Sequence, residues 1–346
     1  MKLELLLSTM NLKDETENNK LIQKMNVNIN TLTINQITNK NIKETNNLTS
    51  KNKLISVRDK GLSKSRNMAI NDSEADICII ADDDVIYKDN FQNIIKKELI
   101  SIIMPVFNCA KYLEETITSV KKQTYTNWEL IIIDDASTDN SLEEIKKNIV
   151  GYEQKIKTLH LPENKGAAHA RNIGLTHATG NYIAFFDADD IWIENKLEEQ
   201  IKYMQKNNYG FTYTSYTYLK NSSKKCVRKI PPKLRYKDAL KNTVILTSTV
   251  MIDIRIIDKK LLQMPDIKRG QDMATWWQIL KQGNTAYGLD KRLTIYRRRK
   301  DSLSFRKNIA LKRTWNLYRN VEKFSLLKAL YYYTCYIYNA IKRRIA

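Results

Sequence analysis

The chain has 346 residues, enough for one large α/β domain or two smaller ones, and its 42% hydrophobic and 28% charged residues are those of a folding sequence. With 58 Lys and Arg against 38 Asp and Glu its net charge is +20, which points to an anionic partner: nucleic acid, a phosphorylated substrate or an anionic membrane surface. The four cysteines form no Cys-x-x-Cys pair, the three histidines lack metal-ligand spacing, and no apolar run reaches about 18 residues, which argues against a disulfide framework, a zinc site and a membrane span.

In chain order, residues 3–7 predict a short buried strand, too short and too close to Glu4 to serve as a secretory leader. Residues 12–53 are polar, with a strand at Thr31–Ile34; a helix over 62–71, a strand over 77–81 and a helix over 89–99 follow. From residue 100 the pattern sharpens. Strands at 100–107, 128–133, 157–161 and 182–186 alternate with helices at 112–122, 142–149 and 166–178. Alternation of helices with continuous apolar strands predicts an α/β fold with a mostly parallel sheet covered on both faces, where ligands bind at strand ends. Later come strands over 210–219, 225–230 and 244–254, a helix over 271–281, a strand pair over 285–297 and helices over 308–344. Cys78 and Cys109, in or beside strands, read as reduced core thiols.

One phrase is written twice. Gly61-Leu-Ser-Lys-Ser-Arg66-Asn67, an apolar run and Asp82-Asp83-Asp84 return as Gly166-Ala-Ala-His-Ala-Arg171-Asn172, an apolar run and Asp187-Ala188-Asp189-Asp190, with each matched position 105 residues further on. Asp-x-Asp at a strand end puts two carboxylates on one side of the chain, which suits a hard divalent cation and, through it, a diphosphate. Asp134-Asp135-Ala-Ser-Thr-Asp139 follows another buried strand. Its carboxylates suit a base N–H or ribose hydroxyls, while Ser137 or Thr138 also suits the N-cap of the next helix.

Pro105-Val-Phe-Asn108, Asp134-Asp135, Asn164-Lys-Gly166 to Arg171-Asn172 and Phe186-Asp-Ala-Asp-Asp190, in this order and each at a strand-to-helix junction, give the chain its resemblance. Residues 99–300 resemble the family 2 glycosyltransferases of the GT-A fold. The resemblance implies inverting transfer of a sugar from a nucleotide-diphosphate sugar, taken as a UDP-sugar. It implies that Pro105, Phe107, Asp134 and Asp135 line the nucleoside pocket and that Arg171 lies near the uracil or the diphosphate. Asp187 would sit by the ribose, and Asp189, with Asp187, would hold Mg²⁺ or Mn²⁺. The family's acidic pair before a later helix matches Gln271-Asp272, so Asp272 is the expected general base, and Gln271 stands where Glu is usual. Trp276 and Trp277 suit sugar stacking or core packing equally. The absence of a Gln-x-x-Arg-Trp motif favours single-sugar transfer, and the family suggests a saccharide or lipid-linked acceptor in cell-surface polysaccharide synthesis.

Residues 326–344 carry Leu and Tyr at near-helical spacing beside Lys342-Arg343-Arg344, a pattern suited equally to an anionic membrane interface or to a helix packed back on the domain; the resemblance favours the membrane, at its cytoplasmic face. The expected organisation is a truncated GT-A-like half over 1–97, a glycosyltransferase domain over 98–305 (nucleotide-sugar half 98–190, acceptor half 191–305) and basic amphipathic helices over 306–346. In the first copy Asn35-Gln36 replace the nucleoside carboxylates, so that copy is expected to be silent. Two other readings stand beside the enzyme: a non-catalytic sugar-nucleotide-binding partner, favoured by Gln271, and a nucleic-acid binder, which the lack of any recognised binding motif disfavours.

Overall fold

The computed structural model describes residues 3–25, 30–36, 45–47, 52–58, 67–71, 73, 77–82, 98–220, 224–242, 244–297 and 307–345. They fall into two compact units, Met1–Lys97 and Glu98–Ala346.

In the first unit, strands β1 (Leu3–Met10), β2 (Asn30–Gln36), β3 (Thr45–Asn47), β4 (Asn52–Val57) and β5 (Ile77–Asp82) form a sheet in the order β3-β4-β2-β1-β5, and only the β3–β4 pair among these is antiparallel. Leu5, Leu6, Leu7, Leu32 and Ile34 are all buried, as consecutive apolar residues in a parallel sheet should be. Helix α1 (Glu15–Lys24) is not visible in the hydrophobic spacing, because it buries only Ile22 and the polar Asn18. Its signal is the cap: Glu17 N donates to Asp14 Oδ1 at 3.0 Å. Asn35, fully buried, closes on its own chain. Its Oδ1 accepts from Leu12 N at 2.9 Å, and its Nδ2 donates to Leu12 O at 2.8 Å and to Ser56 Oγ at 3.0 Å. Gly61, Arg66, Asp83, Asp84 and residues 89–97 of the helix expected over 89–99 lie outside the described residues, while Glu98 and Leu99 at its end are not helical.

The second unit opens with the expected alternation: β6 (Ile100–Val106), α2 (Ala110–Lys121), β7 (Trp128–Asp134), α3 (Ser141–Ile149), β8 (Ile156–His160), α4 (Ala167–His177) and β9 (Tyr182–Phe185). It continues with β10 (Ile191–Trp192), α5 (Lys196–Asn207), β11 (Phe211–Lys220), β12 (Lys224–Arg228), β13 (Lys233–Leu234), α6 (Tyr236–Lys241) and β14 (Met251–Asp253). The described part ends with α7 (Gln271–Lys281), β15 (Ala286–Tyr296), α8 (Lys307–Asn316) and α9 (Leu326–Ile345). The sheet runs β10-β15-β11-β14-β9-β6-β7-β8, with β12 beside β11 and β13 beside β15. Strands β9, β6, β7 and β8 are parallel, and β14 enters antiparallel to both β9 and β11.

Neighbouring residues of β6 and β7 go to opposite faces. Ile103, Ile131 and Ile133 pack with α4 and α7, while Ile102, Leu130 and Ile132 pack with α2 and α5. Gly174 lets α4 approach β6, since a Cβ there would lie 2.5 Å from an Ile103 methyl. The carboxyl ends of β6, β7 and β9 therefore open onto loops that α2, α4 and the later helices hold in place.

Three expectations are corrected here. The strand over 244–254 is broken by a tight 3-10 turn at Thr247–Thr249, where the Thr249 hydroxyl donates to Leu246 O at 2.6 Å, and only β14 remains extended. The strand pair over 285–297 is one strand, β15, which pairs with β10, β11 and β13. Cys109 is buried as expected, but Cys78 is exposed.

Glu129 pins the far end of the parallel strands. Its Oε1 accepts from Ser101 Oγ, Thr179 N and Thr179 Oγ1, each at 2.7 Å, and its Oε2 accepts from Lys157 Nζ at 2.8 Å. Burial alone pushes this carboxyl up, but the bonds from Lys157, Ser101 and Thr179 win and lower it from 4.5 to about 2. A depressed folded-state value stabilises the fold above the unfolded-state pKa, and the contribution disappears as pH falls from 4.5 through 2. Glu129→Gln is expected to cost roughly 2 kcal/mol at neutral pH, from the lost charge-assisted bonds. Denaturant unfolding should show the gap to wild type closing towards pH 2, and an equal gap at neutral and acid pH would refute the assignment.

Candidate active site

The ends of β6 and β7 are tied to each other through polar side chains. Asn108, in the left-handed region at φ 48°, donates its N–H to Ser137 Oγ at 3.0 Å and accepts from Thr138 N at 2.8 Å. Cys109 N donates to Ser141 Oγ at 2.9 Å and Ala110 N to Asp139 Oδ2 at 3.1 Å. Ser137 and Thr138 thus do not cap α3, as one sequence reading allowed. They hold the chain entering α2, and α3 starts after Asn140 without a side-chain cap. Ala136, just before them, sits at φ 57°, a conformation that a residue with a Cβ rarely adopts and that this loop enforces. Pro105 is half-buried, while Phe107 at the strand end is 45% exposed, a flat apolar surface facing outward.

The two carboxylates of this loop part ways. Asp135 is buried and its Oδ1 and Oδ2 accept from the backbone N–H groups of Lys165 (2.9 Å) and Gly166 (2.7 Å). It therefore fixes the start of α4, and Gly166 takes φ 90° there, where a side chain would be strained. Asp134 faces His160 instead, with Oδ2 2.7 Å from Nδ1, and its buried Oδ1 has no hydrogen-bond partner among the described residues.

One turn into α4, Arg171 is 8% exposed and its Nη2 donates to Asp187 Oδ1 at 2.5 Å. Helix α4 so connects the Asp135 loop to the turn after β9. In that turn Asp190 N donates to Asp187 O at 3.1 Å, and Arg297 Nη1 donates to Asp189 O at 3.2 Å. Asp190 is fully buried. Its carboxylate accepts from Ser248 Oγ at 2.5 Å and from Arg297 N at 3.2 Å. Burial, then the nearby Asp187 and Asp189, push its pKa well above the ordinary carboxylate value.

Asp272 lies in the first turn of α7, favoured there by the helix dipole, after Gly270 at φ 84°. It is half-buried, and Thr247 Oγ1 donates to its Oδ2 at 3.4 Å. The neighbouring Ser248 also accepts from Asp187 N at 3.1 Å, so the candidate base and the Asp187–Asp190 turn hang on adjacent residues. Trp276 and Trp277 are buried core residues; Trp276 packs edge-on against Phe185 and Trp277 stacks on Tyr318. The structure thus brings Asp135, Arg171, Asp187, Asp189 and Asp272 into one linked group and turns Asp134 aside towards His160. It also adds Thr247, Ser248 and Arg297, which no motif marks; Arg297 meets Asp190 across 107 positions of sequence.

Asp187 and Asp189 offer hard oxygen donors, and Asp190 is sequestered. Among the described residues no cluster of three His, Cys, Asp or Glu side chains could hold an ion alone. This donor set fits Mg²⁺ or Mn²⁺ that takes one or two carboxylates and completes its shell with substrate phosphates and water.

Residues 101–263 match the family described as Glycosyl transferase family 2. TuaG of Bacillus subtilis (strain 168), named as a glycosyltransferase of teichuronic acid biosynthesis, is 41% identical over 72% of this chain and 98% of its own length. WfgD of Escherichia coli, named as a UDP-Glc:alpha-D-GlcNAc-diphosphoundecaprenol beta-1,3-glucosyltransferase, is 38% identical over 71% of this chain and 94% of its own. Among solved structures, the mannosyltransferase PcManGT of Pyrobaculum calidifontis superposes with a TM-score of 0.54 at 17% identity, over 68% of this chain and 69% of that one. Residues 1–349 of S. aureus TarS superpose with a TM-score of 0.51 at 20% identity, over 64% of this chain and 66% of that one, just under two thirds of its length. The strand-end motifs, the mixed sheet that carries them and these relatives agree: the chain belongs to glycosyltransferase family 2 and has the GT-A fold.

Proposed function

We propose that this glycosyltransferase moves one sugar, with inversion, from a nucleotide-diphosphate sugar to a lipid-linked saccharide during synthesis of a cell-surface polysaccharide. The supporting observation is the linked set Arg171–Asp187–Ser248 and Thr247–Asp272, in which donor-side charges and a basic carboxylate share one turn. Asp272 takes the proton of the acceptor hydroxyl as that oxygen attacks the anomeric carbon. The bond from that carbon to the diphosphate breaks on the opposite face, and Arg171 stands beside the carboxylate next to which the leaving diphosphate gathers charge. Asp189 and Asp187 would hold a divalent cation, which would supply Lewis-acid neutralisation of the leaving diphosphate. Phe107 and the Asp135 loop frame the nucleoside. The donor and acceptor classes follow the name of WfgD, which specifies UDP-Glc and a diphosphoundecaprenol-linked sugar. Released nucleoside diphosphate, scored over a panel of nucleotide sugars with lipid-linked acceptors, tests the reading; binding of donor without any turnover would favour the non-catalytic partner.

The acceptor's lipid gives α9 a role. Ala329, Tyr332 and Tyr336 are buried, while Leu327, Leu330, Tyr331, Tyr338 and Ile341 are exposed along a helix that also carries Lys328 and Lys342. No helix among the described residues is long and apolar enough to cross a membrane. The proposed role is peripheral: α9 lies in an anionic surface at the inner face of the membrane, its apolar side chains in the headgroup region. Deleting the helix would strip the core, so the test is Leu327→Glu with Leu330→Glu. Losing the burial of two leucines, each worth about 1.5–3 kcal/mol, should weaken binding to anionic vesicles at least about tenfold. Turnover on a soluble acceptor should be unchanged, and a wild type that ignores such vesicles at low salt would rule the role out.

A further inference from the structure

Thr247, Ser248 and Thr249 lie on no recognised motif, yet the polar groups of the site converge on them. Ser248 is fully buried, and its single hydroxyl is used at both ends of one turn. It donates to Asp190 Oδ2 at 2.5 Å and accepts from Asp187 N at 3.1 Å. Its carbonyl accepts from Trp192 Nε1 at 2.8 Å and from Thr294 Oγ1 at 3.4 Å. The Trp192 ring is itself held between Phe186, stacked at 4.1 Å, and the buried Lys196 Nζ at 3.8 Å. Gln200 Nε2 donates to Thr249 O at 2.9 Å. With about three residues per turn, successive side chains of a 3-10 turn point in different directions. Ser248 thus reaches the Asp187–Asp190 turn while Thr247 reaches Asp272 Oδ2 at 3.4 Å.

We propose that Ser248 and Thr247 are positioning residues that set the separation between the diphosphate-side carboxylates and the carboxylate that takes the acceptor's proton. The inference rests on the donor and base roles given above to Asp187, Asp189 and Asp272. It assigns the two hydroxyls different jobs. Ser248 fixes where the turn presents Asp187 and Asp189, so it acts on donor and metal binding. Thr247 orients Asp272, so it acts on turnover after the donor is bound. Residues that merely packed the core would move both properties together.

The test is titration calorimetry of UDP in the presence of Mn²⁺, beside kcat on the best acceptor, for the full-length wild type, Ser248→Ala and Thr247→Val. Loss of a partner that orients metal-side carboxylates costs about 10–100-fold in metal affinity or activity. Ser248→Ala should therefore weaken UDP–Mn²⁺ binding by at least about tenfold. Thr247→Val should leave that binding within about twofold and lower kcat by about tenfold. If Ser248→Ala does not fold, Ser248→Cys keeps the volume with a weak donor and should show the same weakening in smaller degree. Undiminished UDP–Mn²⁺ binding in the folded Ser248 variant, or equal losses of both properties in both variants, overturns the inference alone. A wild type that binds no nucleoside diphosphate overturns the donor-site reading, and this inference with it.

Discussion

Asp189→Ala is expected to lower turnover by about 10²–10³-fold, the size of effect seen when one stabiliser of developing transition-state charge is removed, and to leave the protein folded. Asp187 is the poorer target although it stands in the same motif. Arg171 is 8% exposed and bonded to Asp187, so Asp187→Ala would strand a buried guanidinium. Breaking such a pair costs about 3–5 kcal/mol, and the lost activity could then reflect unfolding. Asp189→Ala leaves the Arg171–Asp187 pair in place, so its loss reports on the site. The control lies in the first copy: Asp82→Ala with Asp84→Ala should leave turnover nearly unchanged, since that copy carries Asn35-Gln36 and no acceptor half. Near-wild-type activity in Asp189→Ala, or turnover indifferent to chelators, would refute the metal site. Arrest of sugar transfer by the first-copy pair in a folded protein would show that both copies take part.

Asp272→Asn should reduce kcat by about 10²–10⁴-fold, the usual contribution of a positioned general base, with donor binding preserved. The amide keeps the shape and can still accept from Thr247, so the loss isolates proton acceptance. Gln271→Glu should be tolerated, since it restores the family's usual residue at the start of α7. Undiminished turnover in Asp272→Asn would send the base role to another carboxylate.

The parallel half of the fold was legible because its signals are local. Ile102–Val106 and Leu130–Ile133 are unbroken apolar runs, and Leu113, Ile117 and Val120 repeat at helical spacing. The Asp-x-Asp turn was legible through its repeat. Helix α1 was hidden because its buried face includes Asn18. The break at Thr247–Thr249 was hidden because β-branched residues there read as a strand, while their hydroxyls bond locally and across the site. Ser248 and Arg297 carry no motif of their own. Their importance comes from partners 58 and 107 positions away, which only the folded sheet brings near. Asp134 shows the reverse case: its place in a motif was legible, but its pairing with His160 depends on the β7–β8 register.

Asn35 bears on the packing of the first unit. Its amide answers Leu12 with both a donor and an acceptor, in a position with no solvent exposure. A carboxylate there could still accept from Leu12 N, but it would place a negative charge against Leu12 O, without water to screen it. The amide is thus matched to both groups of Leu12 and to Ser56, so an acid at position 35 would be accommodated only together with compensating changes around residues 12 and 56.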